Sequence, residues 1–136
     1  MTYVLSADKD RVDRDWLWNE LSTNVYWGRW RTRADVEAQL DNAWRIVGAY
    51  DSRTGAMVGY ARAFSDGVAI AYLADVYVHE SARGQSLGKA IVREMIDAGP
   101  GANFRWMLHT SDAHGLYQQF GFAEPDARYL ERREVR

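Results

Sequence analysis

The chain has 136 residues, 47% hydrophobic and 26% charged, which suits one ordinary domain and excludes a largely disordered chain. Its formal net charge of -2 comes from 17 basic and 19 acidic residues mixed along the sequence, so no basic stripe marks a nucleic-acid surface. The absence of cysteine excludes a disulfide framework, a thiolate metal site and a nucleophilic thiol, and no metal is expected. No stretch approaches the roughly 20 apolar residues that span a bilayer, and residues 1–11 lack the apolar core of a signal peptide. A single cytoplasmic domain over residues 1–136, using neither membrane nor nucleic acid, is the expectation.

In chain order, Tyr3-Val4-Leu5-Ser6 reads as a short strand. Asp13 is placed to cap a helix that carries Trp16, Leu17 and Leu21 and ends before Gly28. Thr32 is a second N-cap, with Val36 and Leu40 on one helical face and Arg33, Glu37 and Asp41 on the other. From Trp44 the pattern changes to runs of Val, Ile, Ala and Tyr between turn residues. It predicts strands over Arg45–Tyr50, Met57–Phe64 and Val68 or Ala69 to Val78, joined by short turns into an antiparallel meander. Leu87, Ile91 and Met95 recur at intervals of four and predict a helix that stops at Gly99-Pro100-Gly101. A strand over Phe104–Thr110, a helix over Ala113–Phe120 and a last strand from Phe122 through Tyr129 and Leu130 complete the order.

The segment with most chemical content runs from Val76 to Lys89, where a strand passes through a small-residue loop into a helix. Amides at a helix start have no intrahelical partner and carry the positive end of the dipole, so an anion placed there gains several hydrogen bonds at once. Gly84 and Gly88 allow close backbone approach, and Arg83 can add a charge-assisted contact. Spacing excludes a P-loop, because Arg83 stands where its first glycine belongs and Ala90 follows the Gly88-Lys89 pair. It also excludes the three-glycine dinucleotide fingerprint. The plain alternative is a helix start whose glycines serve only the turn.

Arg83 and Gly88, at the ends of Arg83-Gly84-Gln85-Ser86-Leu87-Gly88, resemble the cofactor loop of the GNAT acetyltransferase superfamily, with Ser86 in place of a glycine. Thr110-Ser111-Asp112-Ala113-His114-Gly115-Leu116-Tyr117-Gln118-Gln119-Phe120-Gly121-Phe122 is similar to the family's late Leu-Tyr-x-x-x-Gly-Phe segment, with Thr110 where asparagine is usual. More narrowly, Ala71–Val78, Arg105–Leu108 and Asp112–Tyr117 resemble an uncharacterised bacterial subgroup. The resemblance covers nearly the whole chain. It implies an α+β fold of GNAT type: a mixed, mostly antiparallel sheet of about six or seven strands, flanked by four helices, whose splayed central strands hold acyl-CoA.

The same resemblance implies an acetyl-CoA-dependent N-acetyltransferase acting on a primary amine of a small molecule or peptide; a homodimer is the one assembly considered. Val76, Tyr77 and Val78 would hold the pantetheine arm through their backbone, while Arg83, Gly84, Gln85, Ser86, Leu87, Gly88, Lys89 and Thr110 would meet the rest of the co-substrate. Tyr117 would protonate the leaving sulfur. Asp75, a carboxylate inside an apolar strand, is the leading base and acceptor-binding candidate, slightly ahead of Asp112 and His114, and the resemblance also allows ordered water in place of a single side-chain base. The structural alternatives are an ion pair with Arg62 for Asp75, a helix N-cap for Asp112 and a satisfied ring for His114. Trp16, Trp18, Tyr26, Trp27 and Trp30 crowd one short span, and at least two of these five should be packing residues; Tyr26 and Trp27 are the choices for the acceptor pocket. An acyl-CoA-binding sensor without catalysis is the competing expectation.

Overall fold

In the computed structural model, residues 2–25 and 29–135 are described. The chain opens with strand β1 (Tyr3–Ser6) and helix α1 (Arg14–Thr23), which starts where Asp13 accepts the Trp16 amide. Helix α2 (Arg33–Asn42) starts in a reciprocal box: Thr32 accepts from the Asp35 amide, and the Asp35 carboxylate accepts from the Thr32 amide. Three strands follow, β2 (Arg45–Asp51), β3 (Met57–Ser65) and β4 (Ile70–Val78). Helix α3 (Leu87–Met95) then crosses to strand β5 (Arg105–Met107), and α4 (His114–Gln118) is a short last helix.

The sheet has the order β1-β2-β3-β4-β5, antiparallel from β1 to β4 and parallel only between β4 and β5. The α+β architecture and the four helices are those expected, but the sheet has five strands among the described residues rather than six or seven. Two differences account for the count. Strand β5 stops at Met107 instead of Thr110, because Leu108–Thr110 turn away from β4. No strand forms from Phe122 to Leu130, because Pro125 lacks a donor and the Asp126 carboxylate takes the Arg128 amide at 2.9 Å, which favours local turns over a ladder.

Each face of the sheet has its own core. Val47, Ala49, Val58, Ala61, Ala63 and Leu73 pack under α3 through Leu87, Ile91, Val92 and Met95. A Cβ at Gly59 would stand 2.8 Å from Ile91 Cδ1, so the bare backbone there lets α3 sit close on the sheet. The other face buries Ile46, Tyr50, Met57, Tyr60 and Tyr77 against Leu17, Leu21, Val36 and Leu40 of α1 and α2. At about 1.5–3 kcal/mol for each fully buried large aliphatic or aromatic side chain, these two layers are the main attractive contribution to folding.

Candidate active site

The parallel contact between β4 and β5 is limited to Ile70, Ala71 and Tyr72 against Arg105, Trp106 and Met107. Beyond it the strands part, and Leu73–Val78 has no ladder partner on that side among the described residues. The opening is a cleft of about 610 Å³ lined by residues of β3 and β4, the segment after β5, and Tyr117 of α4. A bulge sharpens the divergence. Tyr60 pairs with Tyr77 and Arg62 with Ala74, so Ala61 faces two residues of β4, and one of these, Asp75, has φ of 55°. Aspartate tolerates this left-handed conformation better than most side chains do.

Asp75 points away from the α3 core into the α1/α2 side. Both its oxygens are engaged, by Arg31 at 2.7 and 3.1 Å and by Arg62 Nε at 2.8 Å, with its side chain 5% exposed. Burial pushes the carboxyl up, but the two guanidiniums outweigh it and hold it below the usual carboxylate range. The ion pair with Arg62 is the one anticipated; Arg31 was not foreseen, since its 44-residue separation from Asp75 leaves no local signal.

At the outer end of β4, Arg83 Nε donates to the Val78 carbonyl at 2.9 Å, which ties the loop to the strand. The first backbone bond closing α3 runs from Ala90 N–H to the Ser86 carbonyl, so the amides of residues 86–89 precede any intrahelical bond. Gly84 and Ser86 have φ of 80° and 58°. Ser86 stands at the N-cap, makes no side-chain cap bond and enters the helix through left-handed backbone alone. Concave runs of amides of this kind suit phosphate oxygens, and Val76 with its unpaired backbone edge lies between them and the cleft.

Tyr117 is 8% exposed, lies edge-on to Phe122 with ring centroids 5.8 Å apart, and lines the cleft with Leu73 and Val76. Burial, then the Asp112 carboxylate, pushes its phenol above the ordinary tyrosine range. Asp112 lines the same cleft and does not cap α4; Ala113 holds the cap position, and its amide is taken by Thr110 Oγ1 at 3.0 Å. His114 is exposed and faces a neighbouring cavity with Gln118 and Glu124. Trp16 and Trp18 pack against the α1/α2 core, and Trp30 is 51% exposed. Tyr26 and Trp27 lie outside the described residues.

One arrangement in the cleft escaped the sequence. The Tyr72 hydroxyl is hydrogen-bonded to His109 Nδ1, and His109 Nε2 to the Glu131 carboxylate. These residues are 37 and 22 positions apart and belong to no motif, so no spacing could have linked them.

The sheet opens between two parallel strands, with helix-start amides and the buried Tyr117 beside the opening, in an α+β architecture of four helices and a five-stranded sheet among the described residues. The chain belongs to the GNAT acetyltransferase family: the family model matches residues 13–122. A GNAT-family structure from Xanthomonas campestris pv. campestris is similar at 31% identity over 99% of this chain and 94% of its own, with a TM-score of 0.90. A GNAT-family acetyltransferase from Streptococcus pneumoniae TIGR4 (21% identity, 98% and 100% of the two chains, TM-score 0.73) shares the fold. So does glucosamine-6-phosphate N-acetyltransferase from Arabidopsis thaliana (15%, 98% and 100%, TM-score 0.67). No curated protein matches in sequence. No helix among the described residues is long and apolar enough to cross a membrane.

Proposed function

We propose that this protein transfers the acetyl group of acetyl-CoA to a primary amine of a small molecule or peptide. The observation that carries the reading is Tyr117: a buried phenol, pushed above the ordinary tyrosine range by burial and by Asp112, in the same cleft as the edge of β4 that has no ladder partner among the described residues. When bound, acetyl-CoA supplies a thioester carbonyl. The backbone of Val76–Val78 would hold the pantetheine arm as an added strand, and the amides of Gly84–Lys89 with Arg83 would hold the pyrophosphate. Tyr117 would give its proton to the departing sulfur. Thr110 lines the same cleft, although its hydroxyl is already engaged by the Ala113 amide.

Asp75 serves this reading as an anchor. A carboxylate held ionised by two arginines, with both oxygens engaged, is a poor acceptor for an ammonium proton, and it fixes the wall facing the acceptor instead. Tyr26 and Trp27 remain the proposed acceptor contacts.

The test is acetyl-CoA turnover against a broad panel of amines, with acetyl-CoA affinity measured in parallel. Turnover on at least one amine is the expected result. Tight binding with no acetylation across the panel would favour a sensor module. For the loop, Arg83→Ala should weaken acetyl-CoA binding about tenfold, through loss of one charge-assisted contact, whereas Ser86→Gly should not weaken it, because glycine takes φ of 58° more readily. Calorimetric titration reads both, and an unchanged affinity in Arg83→Ala would sink the phosphate assignment.

A further inference from the structure

Resting on the acetyltransferase reading, we infer that Tyr72, His109 and Glu131 form the proton path that relieves the acceptor amine of its proton. Tyr72 lies on β4 at the last rung shared with β5, and it lines the cleft together with Arg62, Asp75 and His109. Its ring is stacked on Phe64 at 5.0 Å and 13°, which fixes the hydroxyl's direction. That hydroxyl meets His109 Nδ1, and Nε2 of the same ring meets the Glu131 carboxylate, which also accepts from the Tyr129 hydroxyl at 3.4 Å.

With a neutral imidazole, one tautomer satisfies every group. Tyr72 donates to Nδ1, and Nε2–H donates to the carboxylate. Tyr72 oxygen keeps a lone pair for a donor arriving in the cleft. His109 is 58% exposed at its side chain, so a proton it receives can pass to water. The hydrogen bond from His109 holds the Glu131 carboxyl below the usual carboxylate range, with Tyr129 and Arg133 acting in the same direction, so a charged partner stands ready for an imidazolium. Arg62 and Asp75 face Tyr72 from β3 and β4, Asp112 and Tyr117 line the cleft's other wall, and His114 and Glu124 face His109 from the neighbouring cavity.

The need for such a path follows from the chemistry. An alkylammonium, with a reference pKa of about 10.4, must lose one proton to become a nucleophile and a second to become an amide, and Asp75 is engaged elsewhere. The ammonium first gives one proton to Tyr72 oxygen while the Tyr72 proton moves to His109 Nδ1 and on to solvent; the neutral nitrogen then bonds to the acetyl carbon as the C–S bond breaks, and its second surplus N–H proton leaves by the same route. The sulfur takes the Tyr117 proton. His109 then releases its proton to solvent, Tyr117 regains one, and the products are amide and free thiol. Tyr72 is the catalytic group in this step; His109 and Glu131 act through it.

The experiment compares full-length wild type with Tyr72→Phe, His109→Gln and Glu131→Gln on an amine that wild type acetylates, from about pH 6 to about pH 10, with acetyl-CoA affinity measured for each. Tyr72→Phe and His109→Gln should each lower kcat about 100-fold near neutral pH. Both should keep acetyl-CoA affinity and regain rate as rising pH deprotonates the free amine; Glu131→Gln should lose less. Variants that match wild type in rate and pH profile overturn the path and leave the acetyltransferase reading standing. A loss that is equal at all pH values and accompanied by weakened acetyl-CoA binding overturns it too, since that marks a structural role. A wild type that binds acetyl-CoA but acetylates nothing in a broad panel overturns both.

Discussion

Asp75→Asn should destabilise the folded protein by about 3–5 kcal/mol, the cost of removing one partner from a buried ion cluster and leaving the other charges unpaired. Arg31 and Asp75 side chains are 4% and 5% exposed, and Arg62 is 12% exposed, so water cannot take over the lost contacts. Asparagine is the informative replacement because it keeps the shape and tolerates φ of 55° as well as aspartate does. The change is then one of charge alone. Asp75→Ala should lose about 1 kcal/mol more, from placing an ordinary side chain in the left-handed region. Urea unfolding reads both, and a loss under about 1 kcal/mol for Asp75→Asn would show that the cluster contributes little.

The same cluster sets an acid dependence. The folded carboxyl titrates below its unfolded value of about 3.9, so the unfolded chain binds the proton more readily. The contribution of Asp75 is therefore complete above about pH 4 and is lost as pH falls through the lower, folded value. In Asp75→Asn the slope of stability against pH should flatten in that acid window and stay unchanged near neutrality.

Tyr117→Phe should lower kcat by about 100-fold or more while leaving acetyl-CoA affinity unchanged, because only the proton offered to the leaving sulfur is removed. The ring's packing against Phe122 survives the substitution, so stability should hardly move. A phenol titrating above the ordinary tyrosine range remains a donor throughout neutral and mildly alkaline conditions. The alkaline limb of the wild-type profile should accordingly lie above about pH 10. Asp112→Asn should bring it down, since the carboxylate is one of the causes that raise it. A Tyr117→Phe enzyme with wild-type kcat would remove the phenol from the chemistry.

What the sequence disclosed and what it withheld divide along the range of the interactions. Asp13, Thr32 and the Leu87–Ile91–Met95 stripe act within one or two turns, and each begins or fills the helix expected of it. Turn residues at 51–55 and 65–67 likewise fix the meander from neighbouring positions. The end of the chain misled because the apolar residues from Phe122 to Leu130 look like strand, yet pairing needs a partner edge, which no local pattern reveals. Within the cleft, Asp75 was conspicuous as a carboxylate among apolar neighbours, and Arg62 was a foreseeable mate. Arg31, the β4 bulge and the Tyr72–His109–Glu131 chain join segments whose proximity exists only after folding.

The separation of the two cores by the sheet has a consequence for descent with modification. The loop proposed for the co-substrate and Tyr117 rest on the α3 face, whereas Arg62 and Asp75 lie on the other, where Arg31 from the approach to α2 meets Asp75. Substitutions on opposite sides of a sheet share few partners, and their effects on stability add almost independently. A lineage could therefore vary the proposed acceptor side around α1 and α2 while the proposed thioester side beneath α3 stays intact.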